Sequence, residues 1–254
     1  MTSSPWTALS DELGRWHAEG RVADLWWRDD DAVDATPALD RLLSLTGAHG
    51  VFPVLAVIPA PARTSLFHSL AHHPRVMVAQ HGWAHVNHAA PPAKKCELGT
   101  ERPAAAVLAE LCRGRERLAA LAGARFLPVL VPPWNRIADD VAAALGGVGF
   151  TGLSTFTPRG AAPPGVVQVN THADPIAWRG GGGLDAEAAL TAATAHLTAK
   201  REGHADGGEA TGLLTHHLVQ DDATWDFLVR FLDVTASHPA VRWRDGAALF
   251  GGAP

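Results

Sequence analysis

Ala23-Asp-Leu-Trp-Trp-Arg-Asp-Asp-Asp-Ala32 runs an apolar stretch straight into an arginine and three aspartates. A short apolar run that stops at a charged cluster reads as a buried strand whose end opens onto a polar face, and the pattern recurs outward from it. Towards the C-terminus, Thr36-Pro37 opens a helix that runs to Leu45 and is closed by Gly47. An apolar run over 51–58, a helix over 62–72 and a strand over 76–80 follow. After an irregular stretch, 81–102, the pattern predicts a helix at 103–122, a strand at 126–131, a helix at 138–145 and strands at 149–156 and 166–170. A helix at 186–200, a strand at 212–215, a helix at 223–235 and a strand at 241–243 complete it. About seven or eight strands alternating with helices predict an α/β protein, a closed or nearly closed (β/α) barrel with a mostly parallel sheet. An open doubly wound sheet is the competing architecture. On the N-terminal side, Ser3-Ser4-Pro5 caps a short amphipathic helix over 6–17, so residues 1–20 read as a helical extension that serves packing.

The 254 residues, 47% hydrophobic and 19% charged, suffice for one full core and a single domain over 1–254. Lys plus Arg number 21 against 26 Asp plus Glu, a net charge of −5, which lacks the basic footprint of a nucleic-acid binder. No apolar run approaches the roughly 20 residues of a membrane span, and residues 1–10 carry neither a basic n-region nor an apolar h-region. A cytoplasmic protein with no membrane partner is the expectation. Cys96 and Cys112 fit no C-x-x-C spacing and suit a reducing compartment. The 14 histidines prompt a search for metal-ligand spacing.

In parallel α/β folds the loops at the C-terminal strand ends converge on one face, and chemistry collects there. The groups expected at those ends are Arg28-Asp29-Asp30-Asp31, His81-Gly-Trp-Ala-His85, Pro132-Pro133-Trp134-Asn135, Thr171-His172-Ala173-Asp174 and His216-His217. Three consecutive aspartates disfavour one another's ionisation unless a cation lies among them, although a solvated acidic loop is the plain alternative. His81 and His85 are four apart, so on a helical turn both imidazoles would face one metal ion. The Glu of H-E-x-x-H is missing between them, which argues against a zincin protease. Gly180-Gly-Gly-Gly183 lacks the Gly-Lys-Ser/Thr of a P-loop and reads as a surface loop.

The ordered series Trp27-Arg-Asp-Asp-Asp-Ala32, His81-Gly-Trp-Ala-His85, Val131-Pro-Pro-Trp-Asn135, Asp174-Pro-Ile-Ala-Trp178 and Leu213-Leu-Thr-His216 resembles the motifs of the polysaccharide deacetylases, carbohydrate esterase family four. The resemblance spans about 23–243. It implies an irregular (β/α)7-type barrel and metal-dependent hydrolysis of an N-acetyl or related amide on an amino sugar, a polysaccharide or a small N-acylated molecule. The expected cofactor is one divalent ion, zinc first, with cobalt or nickel compatible, held by Asp31, His81 and His85. Asp30 would be the catalytic base. His216 would be the acid, with Asp174 as its partner. The family arginine before Pro-Pro is Val131 here, and Arg28 is the expected replacement, because residues i and i+2 of a strand share a side. That places Arg28 beside Asp30 and favours this register; the alternative takes Asp29 as base and Asp30 as ligand. Gly82 replaces the usual Ser/Thr. Trp83 and Trp134, with Trp178, are candidate substrate-binding walls, and His88, His172 and His217 are expected to be supporting or surface residues. Two further readings stay open: a metal-independent glycosidase using paired carboxylates, and a catalytically silent metal- or ligand-binding barrel.

Overall fold

A computed structural model of the chain describes residues 4–251. In chain order it contains α1 (Pro5–Ala18), β1 (Ala23–Ala32), α2 (Pro37–Ala48), β2 (Val54–Val57), α3 (Thr64–Leu70), β3 (Met77–His81), α4 (Ala104–Ala122) and β4 (Phe126–Val131). There follow α5 (Asp139–Ala144), β5 (Gly152–Leu153), β6 (Val167–Gln168), α6 (Ala186–Arg201), β7 (Thr211–Thr215), α7 (Asp222–Thr235), β8 (Val241–Trp243) and α8 (Gly246–Phe250). The helix starts are set locally. Ser4 and Thr36 accept backbone N–H bonds from Thr7 and Leu39 with proline at the first turn, and Asp185 and Asp221 cap α6 and α7.

All strand pairings are parallel, in the order β6-β5-β4-β3-β2-β1-β7, with β8 also pairing to β1. Helices cover the curled sheet, and this (β/α)7-type arrangement is the barrel expected from the alternation of elements. Its edges meet through the backbone after β6. Thr171 exchanges bonds with Thr155 and Thr157, while His172 donates its N–H to the Gly212 carbonyl at 2.7 Å and Leu214 donates to Ala173 at 2.8 Å. Glycine is required at 212. A Cβ there would lie 2.5 Å from Trp26 Nε1 and 2.6 Å from the Asn170 carbonyl, which accepts that indole N–H at 2.9 Å.

Several expected boundaries move. Strand β1 does not stop at Trp27 but runs through the charged cluster to Ala32, because partners from distant chain satisfy those charges inside the fold. The expected strands at 149–156 and 166–170 shrink to two residues each, and α8 was not anticipated. Helix α1 packs as expected: Glu12, fully buried, pairs with Arg201 of α6 at 2.6 Å, and Trp16 Nε1 donates to the Leu197 carbonyl. No helix among the described residues is long and apolar enough to cross a membrane.

Candidate active site

Strand alternation puts Arg28 and Asp30 on one side of β1 and Asp29 on the other. Arg28, fully buried, forms a two-pronged pair with Asp30, Nε to Oδ1 at 2.8 Å and Nη2 to Oδ2 at 3.0 Å. Its remaining donors go to Ser154 Oγ (2.7 Å), the Thr155 carbonyl (3.1 Å) and Asn135 Oδ1 (2.7 Å). Asp29 is enclosed behind this pair. It accepts from Thr215 Oγ1 (2.6 Å), from the His217 backbone N–H (3.0 Å) and from His217 Nδ1, and Trp27 Nε1 donates in turn to Thr215. The Asp29 carboxylate outweighs the burial that opposes a charge on His217 and raises that ring's pKa. His217 is thus a buried partner of Asp29, the supporting placement among those expected for it.

Simple alternation would send Asp31 away from Asp30. The β1–β2 register shifts between Asp29 and Ala32, and Asp31 takes φ +70°, which turns its carboxylate to the histidines. Asp31 Oδ1 lies 3.1 Å from His81 Nε2 and 3.4 Å from His85 Nε2. The two histidines do not share a helix face, contrary to expectation: His81 ends β3, and His85 sits in the following loop at φ +57°. That loop is shaped by Glu97, which the sequence reading missed. Its buried carboxylate accepts the backbone N–H groups of Trp83 (3.1 Å), Ala84 (2.8 Å) and Val86 (3.5 Å). Gly82, at φ +56°, leaves room for it; a Cβ there would lie 2.0 Å from Glu97 Oε2 and 2.6 Å from Pro133 Cγ, so a serine or threonine has no space.

The donor set suits a metal. His81 Nδ1 lies 3.0 Å from the Val131 carbonyl, an acceptor only, so Nδ1 carries the proton and Nε2 offers its lone pair towards Asp31. Asp31 Oδ1 is buried and accepts no hydrogen bond. Burial works against charge on all three groups. For Asp31 it is outweighed by the imidazoles of His81, His216 and His85 around it, which hold the carboxyl well below its usual range. Burial and then the His81 charge depress His85, while the charges of Asp30 and Asp31 overcome burial and raise His81.

These groups open onto a cleft of about 650 Å³ also lined by Trp134, Asn135, Phe156, Asp174, Trp178, Leu214 and His216. Trp134 packs against His85 with ring centroids 4.3 Å apart, and Trp178 meets His216 edge-on at 4.8 Å. Asp174 does not hydrogen-bond His216. Its oxygens accept the Ile176 backbone N–H (2.9 Å) and Trp178 Nε1–H (2.8 Å), so it positions the indole that abuts His216; burial raises its pKa. Trp83 does not line the cleft: Glu97 holds its backbone, and its ring carries the Arg113 guanidinium 5.0 Å from the centroid. His88 lies in the loop, donating its backbone N–H to Cys96.

A second cluster, His172, His196 and Glu209, also brings ligand-type atoms within 4.8 Å of one another, all buried. Here the tautomer opposes a metal. The Gly212 N–H donates to His172 Nδ1 at 3.0 Å, which leaves the ring proton on Nε2, the atom 3.6 Å from Glu209 Oε2. Burial, with the Lys200 ammonium nearby, pushes His196 down to about 3. The unfolded ring takes up a proton as pH falls through 6.5 while the folded ring stays neutral down to about 3, so the fold loses stability across that window. Thermal melts should show a smaller loss of Tm on acidification in His196→Gln than in wild type; equal slopes would contradict this.

The described fold is similar to that of several solved structures. A Mycobacterium smegmatis protein described as a polysaccharide deacetylase superposes with a TM-score of 0.65 at 19% identity, over 87% of this chain and 86% of that one. A peptidoglycan N-acetylglucosamine deacetylase gives 0.55 at 14% identity, over 95% and 98%. A mutant of a carbohydrate esterase family four pseudoenzyme, with restored activity, gives 0.57 at 12% identity, over 90% and 68%. No family model and no curated protein matches the sequence. The chain has the fold of the family four deacetylases.

Proposed function

We propose that this chain, built on the family four deacetylase fold, hydrolyses an N-acetyl or related amide of an amino sugar, a polysaccharide or a small N-acylated molecule. One divalent ion, zinc, with cobalt or nickel as alternatives, would be held by Asp31, His81 and His85. The observation that carries the reading is the His81 tautomer, with Nδ1–H on the Val131 carbonyl and the Nε2 lone pair facing an unpartnered oxygen of Asp31. When bound, such an ion polarises the acyl carbonyl and acidifies water.

The remaining chemistry belongs to the side chains. Asp30, clamped in one orientation by Arg28, takes the proton of the attacking water. His216 delivers a proton to the departing amine nitrogen, its ring held in place by the edge of Trp178, which Asp174 fixes through the indole N–H. Trp134 and Phe156 give the cleft apolar walls that reduce the water around the reacting amide. The crowding of acids on one strand, with imidazoles supplying the other groups, disfavours a metal-free glycosidase.

The direct test is acetate release from N-acetylated mono-, oligo- and polysaccharides, with and without chelator. Turnover of at least one, abolished by chelation and restored by zinc, cobalt or nickel, is the expected result. Bound metal without turnover across the panel would point to a silent binding barrel. Turnover unaffected by chelation would reject the ion's role.

A further inference from the structure

The cleft holding Asp30, Asp31 and the two histidines is also lined by Lys95, Arg136 and Arg179. The three come from separate loops, one after β3, one after β4 and one after β6. Among the described residues none pairs with a carboxylate. Arg136 gives one Nη1–H to the Lys95 carbonyl at 2.7 Å, and Lys95 Nζ stands 6.0 Å from the Trp134 ring centroid. Other arginines are tightly paired, Arg159 with Asp206, Arg201 with Glu12 and Arg242 with Asp24, each at 2.6 Å.

The acids of the cleft are already engaged. Asp30 is committed to Arg28, Asp31 faces the two histidines, and both oxygens of Asp174 accept N–H bonds. None of these acids pairs with Lys95, Arg136 or Arg179, which gather in one cleft of a chain whose overall charge is −5. Lys95 and Arg179 are exposed and Arg136 half-buried, so the three form a basic rim that steers an incoming ligand of the opposite sign.

We infer that the substrate carries an anionic group, a phosphate or a carboxylate, beside its acyl amide, and that Lys95, Arg136 and Arg179 receive it while Trp134 and Trp178 flank the uncharged body. The inference rests on reading this cleft as the hydrolytic site. It narrows the substrate class from any acylated amino sugar to acidic acylated amino compounds.

The test compares N-acetylglucosamine with its 1-phosphate, its 6-phosphate and its 6-carboxylate, so the arms separate phosphate from carboxylate. At least one anionic compound should exceed the neutral sugar in kcat/KM by about tenfold, the order expected of charge-assisted contacts. That ratio should fall as salt rises and collapse towards one in the Lys95→Gln, Arg136→Gln, Arg179→Gln triple variant. A wild-type ratio near one, or a ratio that survives in the variant, overturns the inference and leaves the hydrolase reading standing. Should no sugar be turned over, the hydrolase reading fails, and calorimetric binding of glucosamine 6-phosphate and glucosamine to the purified protein decides the anion site alone. Tighter binding of the phosphate in wild type, lost in the triple variant, supports it. Equal binding in the two proteins overturns it.

Discussion

Asp30→Asn lowers kcat on an N-acetyl substrate by about 10²–10⁴-fold, the range a positioned general base contributes. The substitution keeps the shape of the side chain and one acceptor for Arg28, but the amide cannot take a proton from water. KM should change little, because the acyl carbonyl and the metal ligands are untouched. Arg28 loses its ionic partner, and breaking a buried pair costs up to about 3–5 kcal/mol. Its bonds to Ser154, the Thr155 carbonyl and Asn135 reduce that cost, so a lowered Tm with a folded, metal-loaded protein is the expected state. Asp29→Asn serves as the paired control. It disturbs the Thr215 and His217 bonds and should lower stability more than turnover. If Asp29→Asn proves the more damaging to kcat and Asp30→Asn stays within about tenfold of wild type, the base is misassigned.

The second large effect is expected at the ligand set. Asp31→Ala and His81→Ala should each reduce turnover to the level of chelated wild type, because a missing ligand removes both carbonyl polarisation and water acidification. His81→Ala also removes one of the two donors to the buried Val131 carbonyl, which keeps the Gly82 N–H at 3.1 Å, so circular dichroism and Tm should accompany the kinetics. Added zinc should restore chelated wild type and fail to restore either variant. Restoration of both variants to wild-type turnover would show that these side chains do not hold the ion.

Much of this site was legible because strand geometry is periodic. The period of two places Arg28 beside Asp30, and Ser4-Pro5 and Thr36-Pro37 announce their helices through capping chemistry. What escaped depends on contacts between distant stretches of chain. The charged end of β1 reads as the end of a strand until Ser154, Asn135, Thr215 and His217 supply its partners. Asp31 reaches the histidines through a local left-handed residue, which alternation alone predicts against. The histidine spacing suggested a helical face, whereas the pair is assembled by a loop wrapped around Glu97, fourteen residues beyond Trp83, whose N–H it accepts. Trp83 shares its motif with both histidines, yet its ring packs with Arg113 and leaves the cleft to Trp134 and Trp178. The cations at 95, 136 and 179 carry no spacing signal, since they meet only where three loops converge.

Crystals grown with zinc, measured on both sides of its absorption edge, offer the most direct measurement of whether a cation organises this site. The account predicts an anomalous peak at about 2.0–2.2 Å from an Asp31 carboxylate oxygen and from Nε2 of both His81 and His85. A fully loaded protein whose peak lies elsewhere, on Asp29 or among His172, His196 and Glu209, would contradict it.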